Sequence, residues 1–267
     1  MTIQLNQPIG FSCIGQRAIN QDALYPPVDG STEESNLFLV CDGMGGADKG
    51  EIASQLLCES IVDYARAMDF PPFDSVHLRT ALGQAGQAYQ AYLTANPLVG
   101  RMGSTLALLQ FHDTGATVAH LGDSRVYQIR DGAILFRTQD HRQVLDMVAD
   151  GIITAEQAQT HPWRNRLSRA VVAEAGRDST LMPMPDAVTL TDVRAGDYFF
   201  LCTDGVSECI DDDMLTTTLG AGFSDQTKLQ TLLAACTGKA RDNYSGYLIS
   251  VRHTLTTEPS RNALFSQ

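Results

Sequence analysis

The sequence predicts an α+β fold, and three observations predict it. Between residues 103 and 137, short apolar runs alternate with turn signals, too closely spaced for crossover helices, so these strands pair antiparallel. Two further runs, 38–41 and 198–203, are apolar and too short for buried helices. Each meets an Asp-Gly pair, at Asp42-Gly43 and Asp204-Gly205. Helical periodicity falls elsewhere, at 51–68, at 76–95 and late in the chain.

The elements follow in order. Residues 1–8 read as a loose lead-in, 9–14 as a first strand and 26–36 as a loop. The central strand, 38–41, stops at Asp42-Gly43. Gly45, Gly46 and Gly50 then let the backbone turn sharply or approach a ligand closely. Ile52, Leu56, Leu57, Ile61 and Tyr64 give the next helix its apolar face, and Pro71-Pro72 separate it from the second. The meander carries strands at 106–109, 116–121 and 126–129, with a hairpin signal at Arg130-Asp131-Gly132. A helix over 143–149 ends at Asp150-Gly151, and Thr154 with Gln157 spells a capping box for another. Residues 177–186 are irregular, and a strand at 187–190 precedes the second buried strand. Asp211 to Asp213 read as the cap of a helix near 214–219. A helix over 227–240 follows, and Asp242-Asn243 opens a last strand at 244–251, before a polar tail.

Composition bounds the function. A chain of 267 residues can bury a sizeable core, hiding roughly 70–75% of its unfolded surface. The net charge of −12, from 31 acidic and 19 basic side chains, argues against nucleic acid or an anionic membrane as partner. It fits a protein that concentrates cations. The six cysteines include no CxxC pair and read as reduced thiols of a cytoplasmic protein. No basic segment followed by an apolar one opens the chain, and no run of 18 apolar residues occurs, so neither secretion nor membrane spanning is expected.

Asp42 and Asp204 are the first candidates for chemistry. Two core strands that each deliver a carboxylate bring like charges together, which raises one pKa unless a cation lies between them. Oxygen donors with glycine space beside them suit a hard metal ion. The plain alternative is a capped strand–turn–helix junction. Arg17, Asn20 and Asp22 lie close together; Arg17 makes either a surface ion pair or a bidentate hold on phosphate. Asp123 stands at a turn, where structural and functional roles are both open. Asp140, beside His141, reads as the cap of the helix that follows. The stretch from His161 to Arg169 is basic within an acidic chain: a lid over an acidic or phosphorylated ligand, or a solvated charge cluster.

Several of these pieces, in this order, resemble the PP2C (PPM) family of metal-dependent serine/threonine protein phosphatases, its bacterial members most. They are Arg17…Asn20-Gln21-Asp22, Val40-Cys41-Asp42-Gly43-Met44-Gly45-Gly46, Gly103-Ser104-Thr105, Gly122-Asp123-Ser124-Arg125, Asp140-His141, Arg164-Asn165…Arg169, Thr203-Asp204-Gly205 and Asp242-Asn243. The resemblance runs over about 15–251. It implies a four-layer α-β-β-α sandwich, two antiparallel sheets face to face and flanked by helices, as one domain over 8–253 with a tail at 254–267. It implies a centre of two Mn²⁺ or Mg²⁺ ions, with Asp22, Asp42, the Gly43 carbonyl, Asp204 and Asp242 as matching ligands. A third ion falls to Asp140 and Asp204. Arg17 matches the phosphate-binding arginine, and about 141–167 the flap beside the site.

The implied reaction is hydrolysis of phosphoserine and phosphothreonine in proteins by metal-activated water, with Arg17, Asp42 and Asp204 as the catalytic set and no cysteine nucleophile. The implied partners are phosphoproteins and a cognate Ser/Thr kinase, and the expected state is a monomer. Two positions depart from the eukaryotic pattern. Met44 stands where many members carry a His assigned as general acid, so the leaving-group proton comes from metal-bound water or elsewhere, with His141 the first alternative. Gln21 stands where Glu is frequent. A pseudophosphatase would usually have lost a metal carboxylate, and all four are present. A calcium-binding structural domain would show an EF-hand loop, and none is spelled here. A phosphatase of a sigma-factor switch would share the chemistry and differ only in substrate.

Overall fold

The computed structural model describes residues 2–44, 49–177 and 182–255. The turn expected at Gly45 and Gly46, part of the irregular 177–186 stretch and most of the polar tail lie outside the described residues. In chain order the strands are β1 (Thr2–Leu5), β2 (Ile9–Cys13), β3 (Asp22–Tyr25), β4 (Leu37–Met44), β5 (Arg101–Ser104), β6 (Leu106–His112), β7 (Gly115–Leu121), β8 (Arg125–Arg130), β9 (Ala133–Arg137), β10 (Val171–Glu174), β11 (Asp186–Leu190), β12 (Tyr198–Cys202) and β13 (Tyr244–Leu255). The helices are α1 (Gly50–Ala67), α2 (Ser75–Ala95), α3 (Gln143–Ala149), α4 (Ala155–Thr160), α5 (Asp204–Ser207), α6 (Asp212–Gly220) and α7 (Asp225–Cys236).

The strands form two antiparallel sheets. One runs β1-β13-β12-β8-β9 with β2 also on β13; the other runs β10-β5-β4-β6-β7-β11 with β3 also on β4. Side-chain alternation stacks them. In β4, Phe38 and Val40 join Phe199, Leu201, Tyr247 and Ile249 of the other sheet in the central core. Leu37, Leu39 and Cys41 point the other way, onto Leu57 and Ile61 of α1 and Leu82 and Tyr89 of α2. In β12, Phe200 and Cys202 turn away from the central core, onto Leu215 of α6 and Leu229 and Leu232 of α7. Leu37–Cys41 of β4 and Tyr198–Cys202 of β12 are apolar at every position because both faces of each sheet are covered. The result is the expected α-β-β-α sandwich.

Four expectations need correction. The lead-in is ordered: β1 pairs with the far end of β13, with Thr2 opposite Leu255, so the last strand also runs past Val251. The central strand does not stop at Asp42-Gly43, because Gly43 and Met44 pair with Ser104 and Gly103 of β5; ladder pairing overrides the local break signal. The helix expected at 227–240 is α7, shifted to begin after its Ser224 cap. The α3 cap position is Arg142, with no side-chain cap bond, so Asp140 does not cap this helix. The capping box at Thr154 and Gln157 and the Asp211 cap of α6 form as read.

Candidate metal centre

The two sheets deliver four carboxylates to one place. β3 and β4 pair with Asp22 opposite Asp42, so two acids share a rung, an arrangement that repels without a counter-charge. Asp204 comes from the facing sheet, two residues beyond β12, as the first residue of α5 behind Thr203. Asp242 comes from the residues just before β13. Asp42 and Asp204 therefore stand on facing sheets, not on adjacent strands of one sheet.

The backbone around Asp42 is fixed by the Gly103-Ser104-Thr105 segment. Thr105 N–H and Ser104 Oγ donate to the Asp42 carbonyl at 2.9 and 3.0 Å, and Asp42 N–H donates to Thr105 Oγ1 at 2.9 Å. Gly43 N–H donates to the Gln21 carbonyl at 3.0 Å. A Cβ at Gly43 would lie 2.0 Å from the Gly50 carbonyl oxygen, so only glycine lets β4 and the start of α1 approach this closely. Gln21 thus serves through its backbone, and its departure from Glu leaves this packing intact.

Asn243 explains the Asp-Asn pair. Its Nδ2 donates to the carbonyls of Ile14 and Ile19, and its Oδ1 accepts from Gln21 N–H at 2.9 Å. One side chain so pins the loop carrying Arg17 and Asn20 beside Asp242. Arg17 Nη2 donates to Asp242 Oδ2 at 2.5 Å, with the Arg17 side chain 54% exposed. The ion pair uses one of five donors and leaves the rest facing solvent.

The electrostatics mark a cation site. Burial raises Asp22 to about 7, helped by Asp242 and opposed by the Thr203 and Ser245 hydroxyls. Burial likewise raises Asp204 to about 7, with Asp123, Asp242 and Glu208 adding repulsion. Asp42 is pushed well above the usual carboxylate range by burial and by Asp22, Asp204, Asp123 and Asp242. Asp22 Oδ1 and Asp204 Oδ1 are buried with no hydrogen-bond partner. Buried acceptors without donors are costly, and a set made of oxygens alone suits a hard divalent cation.

The structure adds two residues that the sequence reading left open or passed over. Asp123, 4% exposed, sits within electrostatic reach of Asp42 and Asp204. Arg142 donates from Nε to Asp123 at 2.9 Å and lies 4.0 Å from Asp204 Oδ2, a second cation of the cluster beside Arg17. The turn spelling around Asp123 was the only signal for it; nothing local pointed to Arg142. Asp140 is held elsewhere. Arg125 grips both its oxygens, at 2.7 and 2.8 Å, and Arg142 Nε lies 3.5 Å away. Asp140→Ala is expected to cost about 3–5 kcal/mol of stability, because it strands a largely buried guanidinium; chemical denaturation checks this, and Arg125→Leu with Asp140→Leu should recover much of the loss.

His141 is likewise committed. Its Nδ1 accepts from Gly122 N–H at 3.1 Å, and its Nε2 lies 3.1 Å from Asp186 Oδ2 and 3.0 Å from Arg169 Nη1. The ring stacks on His120 at 4.5 Å. This brace engages both ring nitrogens of His141, the first alternative proton donor. It anchors the base of the 141–167 segment, where Ser168 N–H donates to the His141 carbonyl and Gln143 N–H to that of Arg166. That segment carries α3 and α4.

The two-sheet sandwich thus gathers four aspartates and an arginine at one end, a set of oxygen donors that suits hard divalent cations. The protein phosphatase 2C family model matches residues 9–239, and the chain belongs to this family. It is 31% identical over 228 residues to the serine/threonine protein phosphatase PstP of Mycobacterium tuberculosis, covering 85% of this chain and 41% of that relative. The chain thus spans about two fifths of that relative's length. It is 28% identical to protein phosphatase PhpP of Streptococcus pneumoniae, covering 89% of this chain and 94% of PhpP. The crystal structure of the Mycobacterium tuberculosis phosphatase PstP/Ppp superposes with a TM-score of 0.77 at 29% identity, covering 94% of this chain and all of that one. A structure of the PstP catalytic domain in complex with two manganese ions gives 0.74 at 28% identity, with 94% and 100% coverage.

Proposed function

We propose that the chain is a metal-dependent phosphatase of phosphoserine and phosphothreonine in proteins. The observation that carries this is the pair of buried, unpartnered oxygens, Asp22 Oδ1 and Asp204 Oδ1, in a cluster where burial and like charge raise Asp22, Asp42 and Asp204. Asp22, Asp42, Asp204, Asp242 and the Gly43 carbonyl would hold two Mn²⁺ or Mg²⁺ ions. Bound there, such ions would supply a more acidic water and a positive field for phosphoryl oxygens. The related PstP structure with two manganese ions supports this ligand chemistry.

The chain's own residues position the reaction. Asp42 and Asp204 orient what lies between the sheets, the first through a backbone locked by Ser104 and Thr105, the second at the start of α5. Arg17, steered by Asp242, presents its remaining donors to the phosphate. Arg17→Ala is expected to raise KM roughly tenfold to a hundredfold, the loss of one charge-assisted contact, with Arg17→Lys rescuing only in part. Peptide kinetics check this; an unchanged KM would leave Arg17 a structural pair. Met44 gives the leaving group no imidazole, so aryl phosphates, which need less protonation, are expected to be good substrates.

A third ion, which the sequence reading gave to Asp140 with Asp204, is better placed at Asp123 with Asp204. Asp123 repels Asp204, whereas both Asp140 oxygens are taken by Arg125. Calorimetric Mn²⁺ titration of Asp123→Asn should lose a weak site; loss in Asp140→Asn alone would return the ion to Asp140. The six free thiols support a cytoplasmic setting, and no described helix is long and apolar enough to cross a membrane. The functional unit we assign is the single domain expected over 8–253, extended by β1 and the end of β13 to 2–255, monomeric, opposing a Ser/Thr kinase. Mn²⁺-dependent release of phosphate from a phosphothreonine peptide, abolished by EDTA, tests the activity; no release at saturating Mn²⁺ would leave a binding module of the same fold.

A further inference from the structure

Beside the carboxylate cluster lies a groove of about 740 Å³. Its floor is the end of the β4–β5–β10 ladder, where Met44 pairs with Gly103 and Gly103 with Val172. Met44 directly follows Gly43, so the groove starts one residue from the proposed metal ligands. Two strand spacings carry it roughly 10 Å outward, about three residues of an extended chain. Its walls include Arg101 of β5 and, from the flap side, Arg166 and Arg169. Among the described residues, no Asp or Glu lines it. The chain has 31 acidic to 19 basic side chains, so a groove with three arginines and no acid departs sharply from its surroundings.

The three arginines are not equally committed. Arg169 donates to Asp186 Oδ1 at 2.7 Å and to the Met184 carbonyl at 2.6 Å, which fixes it as part of the wall. Arg101 has only a loose pair, 3.8 Å from Glu174. Arg166 lies over the Trp163 ring, 5.4 Å from its centroid, and makes no ion pair among the described residues. Arg101 and Arg166 are thus the two guanidinium groups able to take a new anionic partner.

We propose that this groove reads an acidic segment of the protein substrate: Asp or Glu side chains within about three residues of the phosphorylated one. The proposal rests on the phosphatase reading above and names the substrate class for it. An acidic flank is disfavoured by the chain's net charge of −12 and complemented by Arg101 and Arg166, which makes the groove a determinant of specificity.

The test compares two phosphothreonine peptides that differ only in having Glu or Gln at the three positions on each side. Wild-type kcat/KM is expected to favour the Glu peptide by about fivefold to tenfold, as two partly exposed ion pairs allow, and less so at high salt. In Arg101→Gln with Arg166→Gln the ratio should fall to about one, while turnover of p-nitrophenyl phosphate, which has no flank, stays unchanged. Equal rates for the two wild-type peptides, or a ratio that survives the double substitution, would overturn the proposal. So would acceleration by a second phosphothreonine but not by Glu, which would make the groove a second phosphate site. If p-nitrophenyl phosphate is not hydrolysed at all, the phosphatase reading fails. The same two peptides, fluorescently labelled, then report on the groove by anisotropy, with the same ratio expected in affinity and the same loss in the double variant.

Discussion

Asp42→Ala and Asp204→Ala are each expected to lower Mn²⁺-dependent hydrolysis of a phosphothreonine peptide by at least about a thousandfold, equivalent to roughly 4 kcal/mol at the transition state. Neither should unfold the protein. The hydrogen bonds that hold Asp42 in place are made by its backbone, to Thr105 and Ser104, and they survive loss of the carboxylate. Asp204 follows the Thr203 cap position, and its Oδ1 has no partner to lose. Each side chain is instead a source of repulsion. Asp42 is raised by four neighbouring acids besides its burial, and Asp204 by three. Removing one relieves the others, so the metal-free variants should melt at or above the wild-type temperature. Activity falling while apo stability holds or rises is the signature of a group kept for chemistry. A variant with near-wild-type turnover at saturating Mn²⁺ would take that residue out of the centre.

Much of this was legible from the chain. The two buried strands announced themselves as apolar runs, since both faces of each sheet are covered, and the Asp-Gly pairs beside them marked the acids. What the sequence could not show was which sheet each strand joins. The carboxylates of Asp42 and Asp204 meet across the sandwich because β4 and β12 lie in different sheets, a fact set by pairings remote in sequence. Asp140 shows the limit of local reading in another way. Its place before a helix fits a cap and its neighbours fit a ligand, yet Arg125, fifteen residues earlier on β8, takes both oxygens. Arg142 had no spelling to distinguish it. Its role comes from lying between Asp123 and Asp204 once the flap base is folded. Asn243 was visible only as the companion of Asp242, and its three hydrogen bonds show that the companion builds the Arg17 loop.

Stripped of metal, the protein is expected to lose stability as pH rises from about 4 to beyond 7, and Mn²⁺ should remove that loss. Asp22 and Asp204 sit near 7 when folded, against an unfolded value of 3.8. Between those values the folded state binds protons that the unfolded state has released, so each pH increment favours unfolding. Below about 4 both states are protonated and the full stability is present; above about 7 it has been lost. One carboxylate moved this far corresponds to roughly 4 kcal/mol, and the set to less than the sum, because protonating one acid relieves its neighbours. Two histidines act in the opposite sense. Burial lowers His112 and His120 below 6.5, so the fold gains stability as pH rises through that range. Asp74, Asp186 and Asp192 are lowered and matter only below about 4. The measurement therefore pairs EDTA-treated and Mn²⁺-loaded protein at each pH, which cancels the contributions from histidines and lowered acids. The difference in stability should be small at pH 5 and grow through pH 7.5, where Mn²⁺ at a hundred times its Kd adds about 2.7 kcal/mol per site. A metal-induced gain that is the same at pH 5 and pH 7.5 would mean that the ions bind away from Asp22 and Asp204.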